Sequence, residues 1–361
     1  MNGNVENPFT VEFEYNVSSN DIYASILPQL RDYFVRKRQT KDLGLVWSFI
    51  NTRYISASAL PLLLTIGEEL FDDLHEPTHI ELQYTPELLY FLHTSSFFQT
   101  AKKFNLFSYQ EEFVGGFGQS IGKQYRKDHV MHVFQKDPVY GLLPPSEKTK
   151  YRQTVVDNAI TYLLYSGFNT VANDLDLFRD KTIFSSCYGE IVANAILHSN
   201  SRSYLFAQSN KYGTEISISD RGIGLKSLDN KEKDHINPNM YSSIRKNNNN
   251  FERHATLLAI LDMLEYSRLA SIHKIETADL NRNLWTIWNH IMDADGSIWI
   301  HTLNVRVKFD GHYCKRKCKM SSFGDCVNCL LSKGDYRYVT YPASHRGLHI
   351  EIHLPKLNGG N

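Results

Sequence analysis

From position 9 to about position 110, stretches of strand length alternate with stretches of helical period, and this alternation constrains the fold more than any other feature. FTVEFEYNV alternates and is rich in β-formers, whereas DIYASILPQLRDYFVRKRQ carries apolar residues at helical spacing. LGLVWSFI is a short apolar run, and SASALPLLLTIGEELFDDL reads as a helix opened by Ser56 or Ser58. HIELQYT reads as a strand again, and ELLYFLHTSSFFQTAKKFNLF as an interrupted helix. The pattern predicts a small α/β domain over residues 1–112. Gly115, Gly116, Gly118 and Gly122 then punctuate a polar stretch, so 113–147 reads as a linker.

A second domain is expected over 148–361. YRQTVVDNAITYLLYSGF, the segment Thr182 to Ser199, ATLLAILDMLEYSRLA and LWTIWNHIM have helical character. RSYLFAQ and TEISISD read as strands joined by a turn from Ser209 to Gly213, and SIWIHTLNVRVKF and GLHIEIHLP as two more. The polar segment Asn237 to Asn250 is expected to be mobile. The whole chain is therefore predicted to be α/β, with an α+β sandwich, a mixed sheet covered by helices, as its second half.

At 361 residues the chain can bury two cores without disulfides. Lys+Arg and Asp+Glu both number 39, so no net field draws it onto nucleic acid or an anionic membrane. SALPLLLTIGEEL is too short to span a bilayer, and the start lacks a basic segment followed by an apolar run, so a cytoplasmic location is expected.

Two elements of the second half carry candidate chemistry. Glu190, Asn194 and His198 fall at i, i+4 and i+8, on one helix face, with Ile191, Val192, Ala195 and Ile196 turned away from it. An amide oxygen there can ligate Mg²⁺ while the carboxylate orients or deprotonates an attacking water or hydroxyl. The same spacing also describes a solvated helix face. Further on, ISISDRGIGL is a strand ending in Asp220, followed by Gly222 and Gly224, which allow tight turning and close approach to a ligand. Asp220 can accept from an exocyclic amino group; by itself the segment also describes an ordinary turn closing a strand.

In this order, GEIVANAILHS and ISISDRGIGL resemble the N box and first glycine box of the GHKL ATPases: gyrase, the Hsp90 chaperones, MutL and histidine kinases. Glu first, with His after Asn, is most similar to the anti-sigma-factor serine kinases and related regulatory ATPases. The resemblance spans about Lys148 to Pro355. It implies ATP and Mg²⁺ as ligands, Glu190 as general base or water-orienting group, Asn194 as Mg²⁺ ligand and Asp220 as adenine anchor. Gly222 and Gly224 would lie beside the base and phosphates. The family's second glycine-rich box falls at Leu280-Asn-Arg-Asn-Leu284, which has no glycine, so Asn283 takes the phosphate-loop position and Arg282 is a candidate phosphate contact.

In the first half, VWSFINTRYISASALPLLL resembles STAS domains, partners of anti-sigma kinases. That likeness implies a phosphorylated serine at the start of the helix, which falls nearest Ser58, with Ser56 in place of the usual preceding acidic residue. A cap serine is the structural alternative. The implied partners are ATP and either the chain's own STAS-like domain or a separate protein, with a homodimer as a further expectation and no membrane.

Cys314, Cys318, Cys326 and Cys329 form C-x3-C-x7-C-x2-C after His312, spacing that fits a tetrahedral Zn²⁺ site in an insert over 310–335. Free thiols or a redox pair are the alternatives, and Cys187 reads as a core residue. Lys315, Arg316, Lys317 and Lys319 make the insert basic, a solvated surface or a nucleic-acid contact. Three functions follow as expectations: an ATP-dependent regulatory ATPase or serine kinase acting on its STAS-like half, a non-catalytic ATP sensor, or a nucleic-acid-linked ATPase of a repair or defence system.

Overall fold

The computed structural model describes residues 7–40, 42–110, 131–165, 181–199, 201–209, 213–222, 256–257, 259–261, 264, 282–316, 329–330 and 337–355. The chain is α/β as expected, built on two main sheets.

In the N-terminal half, strands β1 (Phe9–Glu12), β3 (Leu45–Phe49), β5 (Thr78–Leu82) and β6 (Phe107–Tyr109) form one parallel sheet in the order β1-β3-β5-β6. Short β2 (Asn16–Val17) and β4 (Tyr54–Ile55) pair separately. β6 lies where the sequence suggested the tail of a helix. The helical residues before it split into α3 (Pro86–Thr94) and α4 (Phe97–Lys103) around Ser96, whose φ of 62° breaks the helix. Helix α1 runs through Ser19–Asp21, a π-helical stretch Ile22–Ile26, and Leu27–Lys37. Ser18 and Asp21 close a reciprocal capping box at its start.

Helix α2 (Ala59–Leu74) is buried almost all round, from Ala59 to Glu68 without interruption. A helix apolar on every side needs cover on every side. Here one side meets the N-terminal strand β5 and another meets β8 (Ser203–Ser209) and β9 (Gly213–Asp220) of the second sheet.

Among the described residues that second sheet is antiparallel rather than mixed as expected, because hairpin-like neighbours pair along it, in the order β10-β11-β9-β8-β7, with β7 at His132–Phe134, β10 at Ser297–Asp310 and β11 at Tyr338–Pro355. Thus 132–134, within the stretch expected to be a linker, is an edge strand, and α5 begins at Pro145 (Pro145–Tyr165). The hairpin expectation agrees with the register Ser209↔Thr214 between β8 and β9.

Strand alternation gives this sheet two unlike faces. Leu205, Ala207, Ile216, Ile218, Ile298, Ile300, Ile350 and Ile352 point one way, into a core shared with α6 (Lys181–His198), α7 (Arg282–Asp293) and Leu257, Ile260, Leu261 and Leu264. Tyr204, Phe206, Tyr341 and Ala343 point the other way and belong to the core of the N-terminal half. An irregularity at Thr302–Val305, with Leu303 at φ 52°, shifts the alternation along β10. No helix among the described residues is long and apolar enough to cross a membrane.

Candidate functional site

Glu190 and Asn194 lie on α6, which packs Tyr188, Ile191, Val192 and Ala195 into the core beneath it. The opposite stripe meets α5. Gly189 permits this contact: a Cβ there would stand 2.8 Å from Ile160 Cγ1 and 3.1 Å from Val156 Cγ1, so only glycine lets the two helices approach so closely.

The consequence is chemical. From α5, Arg152 Nη2 donates to Glu190 Oε2 at 2.8 Å and to Asn194 Oδ1 at 2.8 Å. Glu190 and Arg152 are both largely buried, with side-chain exposures of 9% and 13%. Two acceptor oxygens one helical turn apart therefore converge on a single cation. Nothing in the local pattern of α5 singles out Arg152, and sequence reasoning missed it.

Asp220 ends β9 on the helix-covered side of the sheet, in line with Ile216 and Ile218. It is 9% exposed, and burial pushes its pKa up to about 6, against the lowering effect of the Gly222 N–H and of His345. Its Oδ1 accepts from Gly222 N–H at 2.6 Å, and a Cβ on Gly222 would sit 2.6 Å from that oxygen and 3.6 Å from Ser199 Cα. Ser199 directly follows α6, so the end of that helix and the turn after Asp220 lie against one another. With backbone donors at Gly222 and Leu348, the carboxylate still keeps acceptor capacity for a ligand donor.

The structure thus brings Glu190 and Asn194 together and sets Asp220 and Gly222 at the end of the same helix. Gly224 and the segment Asn237 to Asn250 lie outside the described residues, and no side-chain placement is described for Asn283, Arg282, His198 or Cys187.

Ser58 stands at the start of α2 in helical backbone geometry, and its hydroxyl caps no backbone N–H; it lies 3.1 Å from Ser56 Oγ. Between them, Ala57 O accepts from Ser217 Oγ on β9 at 3.4 Å. Both serines therefore lie beside the sheet face opposite the one that carries Glu190.

The cysteine insert leaves the sheet between β10 and β11, as expected. Cys314 is buried in α8 (Gly311–Arg316), and Cys329 Sγ accepts from Arg337 Nη2 at 3.0 Å. Cys318 and Cys326 lie outside the described residues. Among the described residues a different set draws together ligand atoms able to hold a metal: His301, His349 and Glu351. The alternation His349-x-Glu351 in GLHIEIHLP was its visible signal, read only as a strand.

Comparison of the chain with protein-family models, with curated proteins and with solved structures gives no match.

Proposed function

We propose that the C-terminal half binds ATP with Mg²⁺ as a regulatory ATPase of the GHKL type, and that its nucleotide state is transmitted to the STAS-like N-terminal half docked on the back of its sheet. One observation carries the proposal. Glu190 and Asn194 converge on a cation, the Arg152 guanidinium, on the helix that ends beside Gly222 and the buried Asp220. In this reading Asp220 receives the adenine amino group and Gly222 lies close to the base. Asn194 Oδ1 turns from Arg152 to Mg²⁺, a hard cation that prefers such oxygen donors. Glu190, once released from Arg152, orients the attacking water.

A second reading, ATP sensing without turnover, is favoured by the ion pair itself. A carboxylate held at 2.8 Å by a guanidinium is a poor base until that contact opens. Phosphotransfer to the chain's own Ser56 or Ser58 is not supported in the docked arrangement, because the sheet stands between them and Glu190.

The experiment is calorimetric titration with ATP in the presence and absence of Mg²⁺, together with labelled-ATP assays for ADP and phosphoserine. Asn194→Ala should weaken ATP binding chiefly when Mg²⁺ is present. Glu190→Ala should bind normally and lose turnover by about 10²–10⁴-fold, the usual contribution of a general base. ATP binding without any ADP release, unchanged by Glu190→Ala, would select the sensor. No ATP binding at all would remove both readings.

A further inference from the structure

His301 on β10 and His349 on β11 are directly opposite each other in the antiparallel register, and Glu351 follows His349 by two residues on the same face. That face is the one covered by the N-terminal half. Both imidazole side chains are 0% exposed, and Glu351 is 17% exposed. His301 Nε2 lies 2.9 Å and His349 Nε2 3.2 Å from the same oxygen, Glu351 Oε1. All three donor atoms fall within 4.8 Å of one another, and the rings meet edge to face, with centroids 5.2 Å apart at 68°. Ser19 on α1 closes the fourth side, its Oγ donating to Glu351 Oε1, while the Tyr23 ring packs 5.0 Å from that of His301.

Hydrogen bonding within the protein leaves this cluster incomplete. His301 Nε2 is turned to Glu351 Oε1, but Nδ1 of this fully buried ring and Nδ1 of His349 have no hydrogen-bond partner. Buried polar atoms without partners are rare and destabilising. A pair of imidazole nitrogens and one carboxylate oxygen is a donor set that takes first-row transition ions, zinc above all, and is poorly suited to Mg²⁺ or Ca²⁺.

We propose that His301, His349 and Glu351 hold a zinc ion at the interface of the two halves, beside Ser19 of α1, so that the metal fixes the part of the C-terminal sheet on which α1 docks. The cluster is enclosed by both halves, which suits a structural clasp rather than an open catalytic centre. This site is independent of the cysteine insert and of the nucleotide reading.

The test must separate it from thiolate-bound zinc. Full-length Cys326→Ser/Cys329→Ser protein, expressed with zinc and desalted without chelator, should retain about one equivalent of zinc by elemental analysis, as a preformed site would. Adding His349→Gln to this background should lower that content by about tenfold or more, since loss of even an outer partner weakens metal affinity this much. Added zinc should raise the melting temperature of the Cys326→Ser/Cys329→Ser protein but not that of the protein also carrying His349→Gln, whereas a plain hydrogen-bonded cluster would show no zinc response in either. Zinc X-ray absorption of the unsubstituted chain gives a second measurement should the variants fail to fold. Imidazole scattering from a nitrogen and oxygen shell is expected. An all-sulfur shell, absence of zinc, or zinc content unchanged by His349→Gln would overturn the assignment.

Discussion

The two faces of the C-terminal sheet are built from different chemistry. On the helix-covered face, isoleucines dominate: Ile216, Ile218, Ile298, Ile300, Ile350 and Ile352 stack beneath α6 and α7. On the other face the same strands present Tyr204, Ser217, His301, His349 and Glu351 to the N-terminal half. Glu68 of α2 accepts from Arg202 Nε at 3.0 Å and from the buried Tyr204 hydroxyl at 2.7 Å. Asn20 of α1 accepts from Arg306 Nη1 at 2.7 Å and from the Tyr341 hydroxyl at 2.8 Å, and Arg221 pairs with Asp72. An apolar face holds a domain together wherever its partners slide; a face of paired donors and acceptors is satisfied in one docked position. The first is suited to a permanent core. The second is suited to a contact whose strength can change with the state of either half.

If that contrast is correct, the faces should break differently. Ile218→Ala removes buried methyl groups from the apolar face and should destabilise the C-terminal half by about 2–5 kcal/mol in denaturant unfolding. ATP affinity should fall with it, because Asp220 continues the same strand. A loss below about 0.5 kcal/mol would mean that this face is not the core described here.

Glu68→Ala should have a smaller effect, about 1–3 kcal/mol, because it orphans the buried Tyr204 hydroxyl while Arg202 stays partly exposed to solvent. Its effect should appear as faster hydrogen exchange or proteolysis in α2 and β8, with ATP affinity little changed. Equal loss of exchange protection in α6 would show that the two halves do not separate at this face.

Much of the second sheet was legible because period-2 alternation in TEISISD and GLHIEIHLP is strong. The stripe of Glu190 and Asn194 on one helix face was equally direct. β6 was hidden because Phe107–Tyr109 continues an apolar run from a helix, and short apolar runs look alike in either state. β7 was hidden because His132–Phe134 is only three residues long and gains its place from β8 rather than from its own propensity. The docking of the halves left almost no local trace. Glu68 lies in a segment that reads as the polar end of an apolar helix, yet Arg202 and Tyr204, far along the chain, determine its burial. Arg152 was invisible for the same reason: its partners are on another helix, brought near by Gly189.

The proposed nucleotide site depends most directly on Asp220. Burial raises its pKa to about 6, so the carboxyl is largely protonated below that pH and ionised above it. An adenine amino group donating to that carboxylate would lower the pKa again. ATP should therefore bind more tightly as pH rises through about 6, with release of protons on binding below neutrality. Asp220→Asn cannot titrate, and turns an acceptor into a donor on one side. Calorimetry of wild type and Asp220→Asn with MgATP, from pH 5.5 to about 8, allows the phosphate's own titration to be subtracted, since only the residue-specific group with a pKa near 6 differs. The expected result is roughly 10- to 100-fold weaker binding by the variant at neutral pH, the worth of one charge-assisted hydrogen bond, with the wild type's extra pH dependence abolished. Equal affinity and equal pH dependence in the two proteins would contradict the proposed nucleotide site.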